Sequence, residues 1–337
     1  MSEPALVVHA DWSLHPRKRW MARAVRRADG GYIASAPAPV GALDRFLAGL
    51  TARAGRGAVL VGFDFPIGLP VAYAERAGID DFPTALLGFG AGRWREFYDL
   101  ASAPEEISLP RPFYPRRPGG CRRQHLFERL QLNSWDDLHR RCDRRTTCRP
   151  AACPMFWTLG GNQVGRAAIT GWRDLLAPGR RDGADMAIWP FEGALADLLR
   201  RHRVVVAETY PGEAYGHLEL RSPLRAQGGK RRQIARVACA PSLLTWAERA
   251  SVALAPELRT DIMSGFGPDA DGEDRFDAVV GLFGMLNVVL GLRPSGEPDD
   301  PAVRRIEGWI LGQDATVADG PAGCEGAPER LLDRSPV

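Results

Sequence analysis

The sequence has few lysines, few cysteines and no long apolar run. Of its 44 basic residues only Lys18 and Lys230 are lysines, so the positive charge comes almost entirely from arginine. The formal net charge is only +3, which is too small to indicate nucleic acid or any other partner. No segment reaches the roughly 18 consecutive apolar residues of a transmembrane helix, so a membrane protein is not expected.

The cysteines and the amino terminus favour a reducing compartment. Six cysteines in 337 residues are too sparse for a disulfide scaffold, and free thiols or a metal site are expected instead. The opening "ALVVHADWS" has a short apolar run with no basic residue before it, which does not fit a signal peptide. We therefore predict a soluble, cytoplasmic protein, whose 45% hydrophobic residues suffice for a buried core.

Short apolar runs that alternate with helical patterns predict an α/β fold. Valine-rich or alternating segments predict five strands, at residues 5–10, 19–27, 30–37, 58–70 and 203–211. Apolar residues at helical spacing predict helices at residues 41–55, 191–202, 240–255, 273–291 and 301–312. The first three strands follow one another through short turns, which favours an antiparallel meander.

The regular pattern is interrupted in the middle of the chain. Residues 71–189 are rich in proline, glycine, arginine and tryptophan, and they show a helical pattern only locally, at 129–142. Because this region is too long for a simple loop, we interpret it as an inserted cap or subdomain. Residues 1–70 and 190–312 then form the core, and 313–337 form a flexible tail.

Three predicted strands end in an acid. Asp11 follows "VVHA", Asp64 follows "VLVGF" and Glu208 follows "VVVA". Ligands and catalytic groups gather at the carboxyl ends of strands in α/β sheets, so the three acids together favour a functional site. Each acid taken alone fits equally well as an exposed carboxylate or as a cap for the following turn.

Two further acids lie three residues apart at the start of the predicted helix 273–291. Asp274 and Asp277 share one face of such a helix. Acids at a helix amino terminus gain from the helix dipole, so capping alone explains them. In combination with the strand-end acids they instead suggest a cluster whose repulsion is relieved by Mg²⁺ or Mn²⁺. Both interpretations remain open at this point.

The order of the elements and acids resembles the ribonuclease H-like fold, a mixed five-stranded sheet with flanking helices. The spacing of the acids resembles that of its RuvC-type branch. The segments "HADWS", "VGFDFPIGLP", "AETYPGEAY", "GGKRRQIAR" and "EDRFDAVVGLFG" resemble more narrowly the DUF429 family, which is described as predicted RNase H-like nucleases. These segments are spread over residues 7–290, nearly the whole chain.

The resemblance implies a metal-binding role for four acids. Asp11 would be the bridging ligand of the first strand, and Asp64 the ligand that ends the fourth. Asp274 and Asp277 would be the ligands of the carboxy-terminal helix. In such sites two ions about 3.5–4 Å apart activate water and stabilise the leaving oxygen in phosphodiester hydrolysis.

Other residues would serve catalysis or the substrate. Glu208 would be a further ligand or a base. Lys230 would contact a phosphate or another anion, or would be only a solvated charge. The remaining candidate substrate-binding residues are Ser13, beside Asp11, and three residues of the glycine-rich segment 153–172, namely Asn162, Gln163 and Arg166. No histidine with a supporting acid accompanies Ser13, so a serine-hydrolase triad is not expected.

The predicted cap carries two further patterns. Residues 111–149 hold eleven arginines against four acids, interleaved with aromatic residues. This composition suits phosphates and stacked bases, and an ion-paired surface equally well. Cys142, Cys148 and Cys153 are close in sequence, but only the last two have the spacing of a zinc pair. Structural Zn²⁺ is therefore an alternative to free thiols.

The leading hypothesis is a divalent-metal-dependent phosphodiesterase or nuclease that uses Mg²⁺ or Mn²⁺. One alternative is an Mg·ATP-dependent enzyme, as in the related sugar kinase, Hsp70 and actin proteins, or another hydrolase or transferase acting on a small anionic substrate. A further alternative is a non-catalytic protein that binds nucleic acid through its arginine-rich cap. The expected partner is nucleic acid or a small phosphorylated molecule.

Overall fold

The computed structural model describes residues 3–146, 149–159 and 164–314. Within them the chain forms one mixed β-sheet with helices on both faces. The predicted α/β class is therefore confirmed. The prediction of a flexible tail at 313–337 falls, except for its first two residues, outside the described residues.

The sheet has seven strands, in the order β5-β6-β4-β1-β2-β3-β7. They are β1 Leu6–Asp11, β2 Trp20–Arg26, β3 Tyr32–Pro39, β4 Val59–Phe63, β5 Met186–Ile188, β6 Val204–Glu208 and β7 Ala253–Leu254. β1, β2 and β3 form the expected antiparallel meander, while β4, β6 and β5 extend the sheet in parallel from β1. The short edge strands β5 and β7 were not predicted, because two or three residues are too few to show an alternating pattern.

The central strands have the composition that their position requires. Every residue of β1, β4 and β6 is buried. Strands covered on both faces read as continuous apolar runs, which is why valine dominates these three segments. The acids that end them are therefore held at the rim of a rigid, fully paired region of the sheet.

Thirteen α-helices surround the sheet in the described part of the chain. They are α1 Phe46–Arg53, α2 Val71–Ala77, α3 Phe82–Gly88, α4 Arg123–Arg129, α5 Val164–Gly171, α6 Ala177–Arg181, α7 Leu195–Arg201, α8 Pro211–His217, α9 Arg221–Ala226, α10 Gln233–Ala238, α11 Ala240–Arg249, α12 Pro256–Met263 and α13 Gly272–Val289. A π-helical segment, Trp172–Leu176, joins α5 to α6. Most of these helices are short, and α13 is the longest.

The predicted helix at 129–142 is wrong. α4 ends at Arg129, and only short 3₁₀ turns follow, at Asp136–Leu138 and Arg141–Asp143. Gln131 has a positive φ of 58°, a left-handed conformation that a helix cannot continue through. The apolar residues of this stretch are buried by packing against neighbouring elements and not by a helix of their own.

The predicted helix at 301–312 is confirmed for its first seven residues, 301–307, and wrong for the rest. A π-helical turn covers Val303–Glu307 and stops at Gly308, whose φ is 67°. The chain then runs alongside the sheet, where Ile310 forms a parallel bridge with Glu208. The apolar residues after the turn therefore extend the sheet edge.

Two hydrophobic clusters cover the two faces of the sheet. One face packs against α13 together with α7, α8 and α10–α12, and the other packs against α1 and most of region 71–189. β5 lies inside that region yet pairs with β6 in the main sheet. The predicted insertion thus shares a core with the sheet, and its treatment as a separate domain stays a prediction.

α13 lies very close to β1. His9 of β1 is fully buried, and a Cβ at Gly281 would collide with its imidazole ring. Burial lowers the pKa of His9 to about 3, so the ring is neutral and packs as an apolar group. This contact sets α13 against the sheet with its first turn beside the end of β1.

No helix in the described ranges is long and apolar enough to cross a membrane. This agrees with the absence of a spanning segment expected from the sequence. The cytoplasmic location is a separate matter and stays a prediction.

Replacing Gly281 by alanine tests the close packing of α13 on β1. Because the added methyl group has no room beside His9, we expect Gly281→Ala to lower the free energy of unfolding by about 1–3 kcal/mol, as over-packed cores do. Gly49→Ala is the matched control, since Gly49 lies in α1 with no atom within 4 Å of the added carbon. It should leave stability unchanged or raise it by up to about 1 kcal/mol. Urea unfolding curves measure both, and equal stabilities would contradict the contact.

Candidate functional site

A cleft opens at the carboxyl ends of β1 and β4, beside the first turn of α13. Its volume is about 690 Å³. Seven of the residues predicted for the site line it, namely Asp11, Ser13, Asp64, Arg166, Lys230, Asp274 and Asp277. The fold thus gathers residues that are far apart in the chain into one concave surface.

Asp11 and Asp64 reach the cleft because of the strand register. Ala10 of β1 lies opposite Phe63 of β4, so the next residue of each chain segment, an aspartate, points to the face that α13 covers. The backbone N–H of Trp12 donates to Asp64 Oδ1 at 2.6 Å.

Burial and repulsion raise the pKa of both carboxyl groups. Burial raises the pKa of Asp64 to about 7, although the hydrogen bond from the Trp12 N–H opposes the change. Burial, and then the charges of Asp64 and Asp277, raise the pKa of Asp11 well above its usual value. Two buried carboxyl groups whose ionisation is disfavoured offer oxygen ligands to a cation that neutralises them.

Asp277 enters the cleft with both carboxylate oxygens occupied. Its side chain accepts a hydrogen bond from the Tyr215 hydroxyl on Oδ1 and one from the Lys230 ammonium on Oδ2. Burial alone would lower the pKa of Lys230, but Asp277 and Tyr215 raise it well above its usual value. Lys230 therefore stays charged beside the carboxylate.

Asp274 lies on the same turn of α13 with one oxygen free. Its Oδ2 is buried and has no hydrogen-bond partner within the described residues. Burial raises the pKa of Asp274 to about 6, although the positive charge of Lys18 opposes the change. A buried carboxylate oxygen without a partner is costly, so this atom is an open position for a ligand.

The carboxylate oxygens of the cleft are ligands that suit a hard cation, but they are too far apart for three of them to bind one ion. In the described residues, the only three potential ligand atoms that lie within 4.8 Å of one another belong to Cys142, Asp143 and Glu208. These residues do not line the cleft. A cation in the cleft would therefore contact at most two of its carboxylates with the side chains as they stand, and a third only after a side chain turns.

The structure places Glu208 on the other face of the sheet, which does not fit the predicted role as ligand or base. β6 pairs with β4 so that Glu208 lies opposite Phe63, one residue before Asp64. Because side chains alternate along a strand, Glu208 points away from the cleft. There Arg140 donates to both of its carboxylate oxygens at 2.6 Å, in a fully buried ion pair.

Structural Zn²⁺ at the three predicted cysteines stays a prediction, since only Cys142 and Cys153 lie in the described part of the chain. Cys142 lies beside Asp143 and Glu208, but Arg140 already neutralises both acids. Burial raises the pKa of the Cys142 thiol well above its usual value, which disfavours the thiolate that Zn²⁺ binds. Cys153 lines the cleft instead, and Cys148 lies outside the described residues.

Two of the predicted substrate-binding residues lie in the cleft, and a third, Lys230, is paired with Asp277 there. Ser13 and Arg166 both line the cleft. Arg166 is anchored there because its guanidinium donates to the Arg116 carbonyl at 2.7 Å. Asn162 and Gln163 lie outside the described residues.

Several cleft residues were not predicted from the sequence. They are Trp12, His15, Lys18, Tyr210 and Tyr215. Two signals were present, since both tyrosines belong to the segment "AETYPGEAY" and Lys18 is one of only two lysines. These side chains add cationic and aromatic groups around the carboxylates.

The arginine-rich region 111–149 is partly internal. Arg140 and Arg149 are buried, and Arg149 forms an ion pair with Glu213 at 3.0 Å. Phe113 and Tyr114 are also buried, so they are not available to stack on bases. The exposed arginines of this region are those at positions 116, 117, 122, 123, 129, 144 and 145.

Comparisons with known proteins give no further assignment. No protein-family model, no curated protein and no solved structure matches the chain.

Removing Glu208 tests its role as the partner of Arg140. Glu208→Ala leaves a fully buried guanidinium with less compensation, and breaking such a pair typically costs about 3–5 kcal/mol. Asp197→Ala is the control, because Asp197 pairs with Arg200 at an exposed position and should cost less than about 1 kcal/mol. Urea unfolding measures both variants. A loss below 1 kcal/mol for Glu208→Ala would argue against the buried pair as a structural element.

The raised pKa of Asp64 predicts a loss of stability with rising pH. Asp64 ionises near 3.8 in the unfolded chain and near 7 in the folded one, so the folded chain binds more protons between these values. The unfolding free energy therefore falls from about pH 4 to about pH 7, by at most about 1.4 kcal/mol per pH unit. Asp64→Asn should show a smaller fall between pH 4 and pH 7, measured by urea unfolding in EDTA. Parallel pH profiles for the two proteins would contradict this ionisation.

Proposed function

We propose that this protein is a divalent-metal-dependent hydrolase of phosphodiesters with a variant of the ribonuclease H-like fold. The strand order supports this fold, because β3-β2-β1-β4-β6 is a five-stranded mixed sheet with an antiparallel meander followed by two parallel strands. β5 and β7 then extend it at the two edges. The resemblance to the DUF429 family stays a prediction, and fold alone does not define a function.

One observation carries the proposal. The aspartates predicted as ligands from strand ends and from a helix, at positions 11, 64, 274 and 277, line a single cleft. Burial raises the pKa of Asp11, Asp64 and Asp274, and the negative charge of Asp277 adds to the effect on each of them. Perturbed carboxylates in a cleft favour a functional site over simple helix capping.

The side chains fit Mg²⁺ or Mn²⁺ in type. All candidate ligands are carboxylate oxygens, which these hard cations prefer, and Asp274 Oδ2 is buried without a partner. Two of Asp11, Asp64 and Asp274 would hold the ion, and the third would join them after its side chain turns. A bound ion of this kind lowers the pKa of a coordinated water and stabilises charge on the phosphoryl oxygens.

The other residues of the cleft then have roles that their chemistry supports. Lys18 and Arg166 supply positive charge on the wall facing the acids, where a phosphate group would lie. Tyr210 stands at the cleft with the Arg149 guanidinium 5.0 Å from its ring centroid, which fixes the ring as a flat wall. Lys230 neutralises Asp277 and so limits the repulsion among the acids.

The size of the cleft favours a small or single-stranded substrate. About 690 Å³ lies within the usual range for sites that enclose small molecules. Cap residues Ala152, Cys153 and Val164 line the same cleft as Asp11 and narrow the approach to the acids. A small phosphorylated molecule is therefore the second candidate substrate, beside a nucleic-acid strand.

Asp11→Asn tests the proposal directly. The amide removes one ligand charge from the pair Asp11 and Asp64, and we expect Mn²⁺-dependent hydrolysis to fall about 100-fold or more, since several kcal/mol of transition-state stabilisation depend on the ion. Release of nitrophenol from bis(p-nitrophenyl) phosphate and cleavage of labelled single- and double-stranded DNA and RNA measure it. Asp44→Asn, at an exposed position away from the cleft, is the matched control.

Two outcomes would count against the proposal. The first is full activity of Asp11→Asn on a substrate that the unaltered protein cleaves. The second is the absence of turnover by the unaltered protein on the whole panel in Mn²⁺, particularly if it binds single-stranded nucleic acid tightly. Tight binding without turnover would favour the non-catalytic alternative, and stabilisation by Mg·ATP against heat would favour the nucleotide-dependent one.

A further inference from the structure

The two aspartates of α13 differ in their partners. Asp277 is only 4% exposed, and Tyr215 and Lys230 occupy both of its oxygens. Asp274 keeps one buried oxygen without a partner. The acids predicted as equivalent ligands are therefore not equivalent, because only Asp274 is free to accept a cation without losing a donor.

Lys230 is held in this position by its backbone. The buried guanidinium of Arg236 donates to the Lys230 carbonyl at 2.6 Å, and to the carbonyls of Gly265 and Gly267 at 2.8 and 2.7 Å. These bonds tie the segment before α10 to the loop that leads into α13. The backbone of Lys230 is thus fixed relative to α13 by these hydrogen bonds.

The Lys230 ammonium also bridges two carboxylates. Its Nζ contacts Asp277 and lies 3.2 Å from Glu273 Oε1. In a two-ion site the cations stand about 3.5–4 Å apart, and each contacts more than one carboxylate. The ammonium makes the same kind of contact here. An ammonium in one of the two positions would repel a divalent cation from it and leave the other position open.

We propose that the Lys230 ammonium fills the second cation position of this cleft, so that the protein binds one divalent ion and not two. Two of Asp11, Asp64 and Asp274 would hold that ion, and the third would join after its side chain turns. The inference rests on the proposed function, since it presumes that the cleft binds a metal ion. It changes the role assigned to Lys230 from contact with the substrate to a built-in counter-ion. It also makes Asp277 an acceptor for Lys230 and no longer a direct ligand.

Lys18 provides an internal comparison. It lines the same cleft, but it is exposed and forms no ion pair within 4.0 Å in the part of the chain that the structure describes. If the number of bound ions depended only on the total positive charge in the cleft, removing either lysine would have the same effect. The proposal requires a change for Lys230 alone.

Counting bound Mn²⁺ tests the proposal. Full-length protein is stripped with EDTA, dialysed and titrated with Mn²⁺ at pH 8, and free Mn²⁺ is followed by its electron paramagnetic resonance signal, with calorimetry in parallel. We expect one ion per chain for the unaltered protein and for Lys18→Met, and two for Lys230→Met. In the double variant Lys230→Met/Asp277→Asn the number should return to one, because the second ion would have lost its carboxylate.

Paired ions also give a signature that does not depend on activity. Two Mn²⁺ ions bridged by carboxylates couple magnetically, so Lys230→Met should show an exchange-broadened spectrum that the unaltered protein lacks. Circular dichroism and urea unfolding establish that each variant is folded, and Lys230→Gln replaces Lys230→Met if the methionine variant is not. Both substitutions remove the charge and keep most of the side-chain length.

The possible failures are distinguishable. Two ions in the unaltered protein, or one in each folded Lys230 variant, would overturn the inference and leave the proposed metal-dependent function intact. A second ion in Lys18→Met as well would overturn the specific role of Lys230. No bound Mn²⁺ in any variant would overturn the inference together with the metal-dependent function.

Discussion

The close contact between α13 and β1 is the constraint on which the site depends. The absence of a side chain at Gly281 lets the helix lie against the buried ring of His9. His9 is two residues before Asp11 on the same face of β1, so the contact that seats the helix also sets its first turn beside the strand end. A helix displaced outward by one methyl group would move Asp274 and Asp277 with it. Packing of the helix on the strand thus brings the carboxylates together. Their mutual repulsion lowers the stability of the folded protein.

The buried acids on the two faces of the sheet differ in whether a cationic side chain pairs with them. On one face Glu208 and Asp143 share a buried arginine, so charges are locally paired and hydrogen-bonded, as buried ions must be. On the other face burial raises the pKa of both Asp11 and Asp64, and one oxygen of Asp274 has no partner within the described residues. The paired face needs nothing further for stability. The buried acids of the cleft favour bound protons or an added cation, and this favours a binding site over a structural ion pair.

The sequence was informative wherever local pattern decides the structure. Continuous apolar runs identified the central strands, and the acids after two of them do meet in the cleft. Glu208 was misplaced because the side to which a strand-end residue points depends on the register between β4 and β6, which no local pattern records. The ion pair between Lys230 and Asp277 joins residues 47 positions apart and follows only from tertiary packing. The false helix at 129–142 shows the converse limit, because apolar spacing can also be satisfied by turns against a neighbouring surface.

The scarcity of lysine gives Lys230 additional weight. Nearly all basic residues of this chain are arginine, and both lysines line the cleft. An ammonium is a compact point charge, whereas a guanidinium is a planar fork suited to paired contacts with a carboxylate. On the opposite face Arg140 uses that fork to bind both oxygens of Glu208. Asp277 instead accepts a hydrogen bond from the Lys230 ammonium on one oxygen and from a tyrosine hydroxyl on the other. A compact ammonium fits between the carboxylates of α13, whereas a planar guanidinium would need both oxygens of one carboxylate.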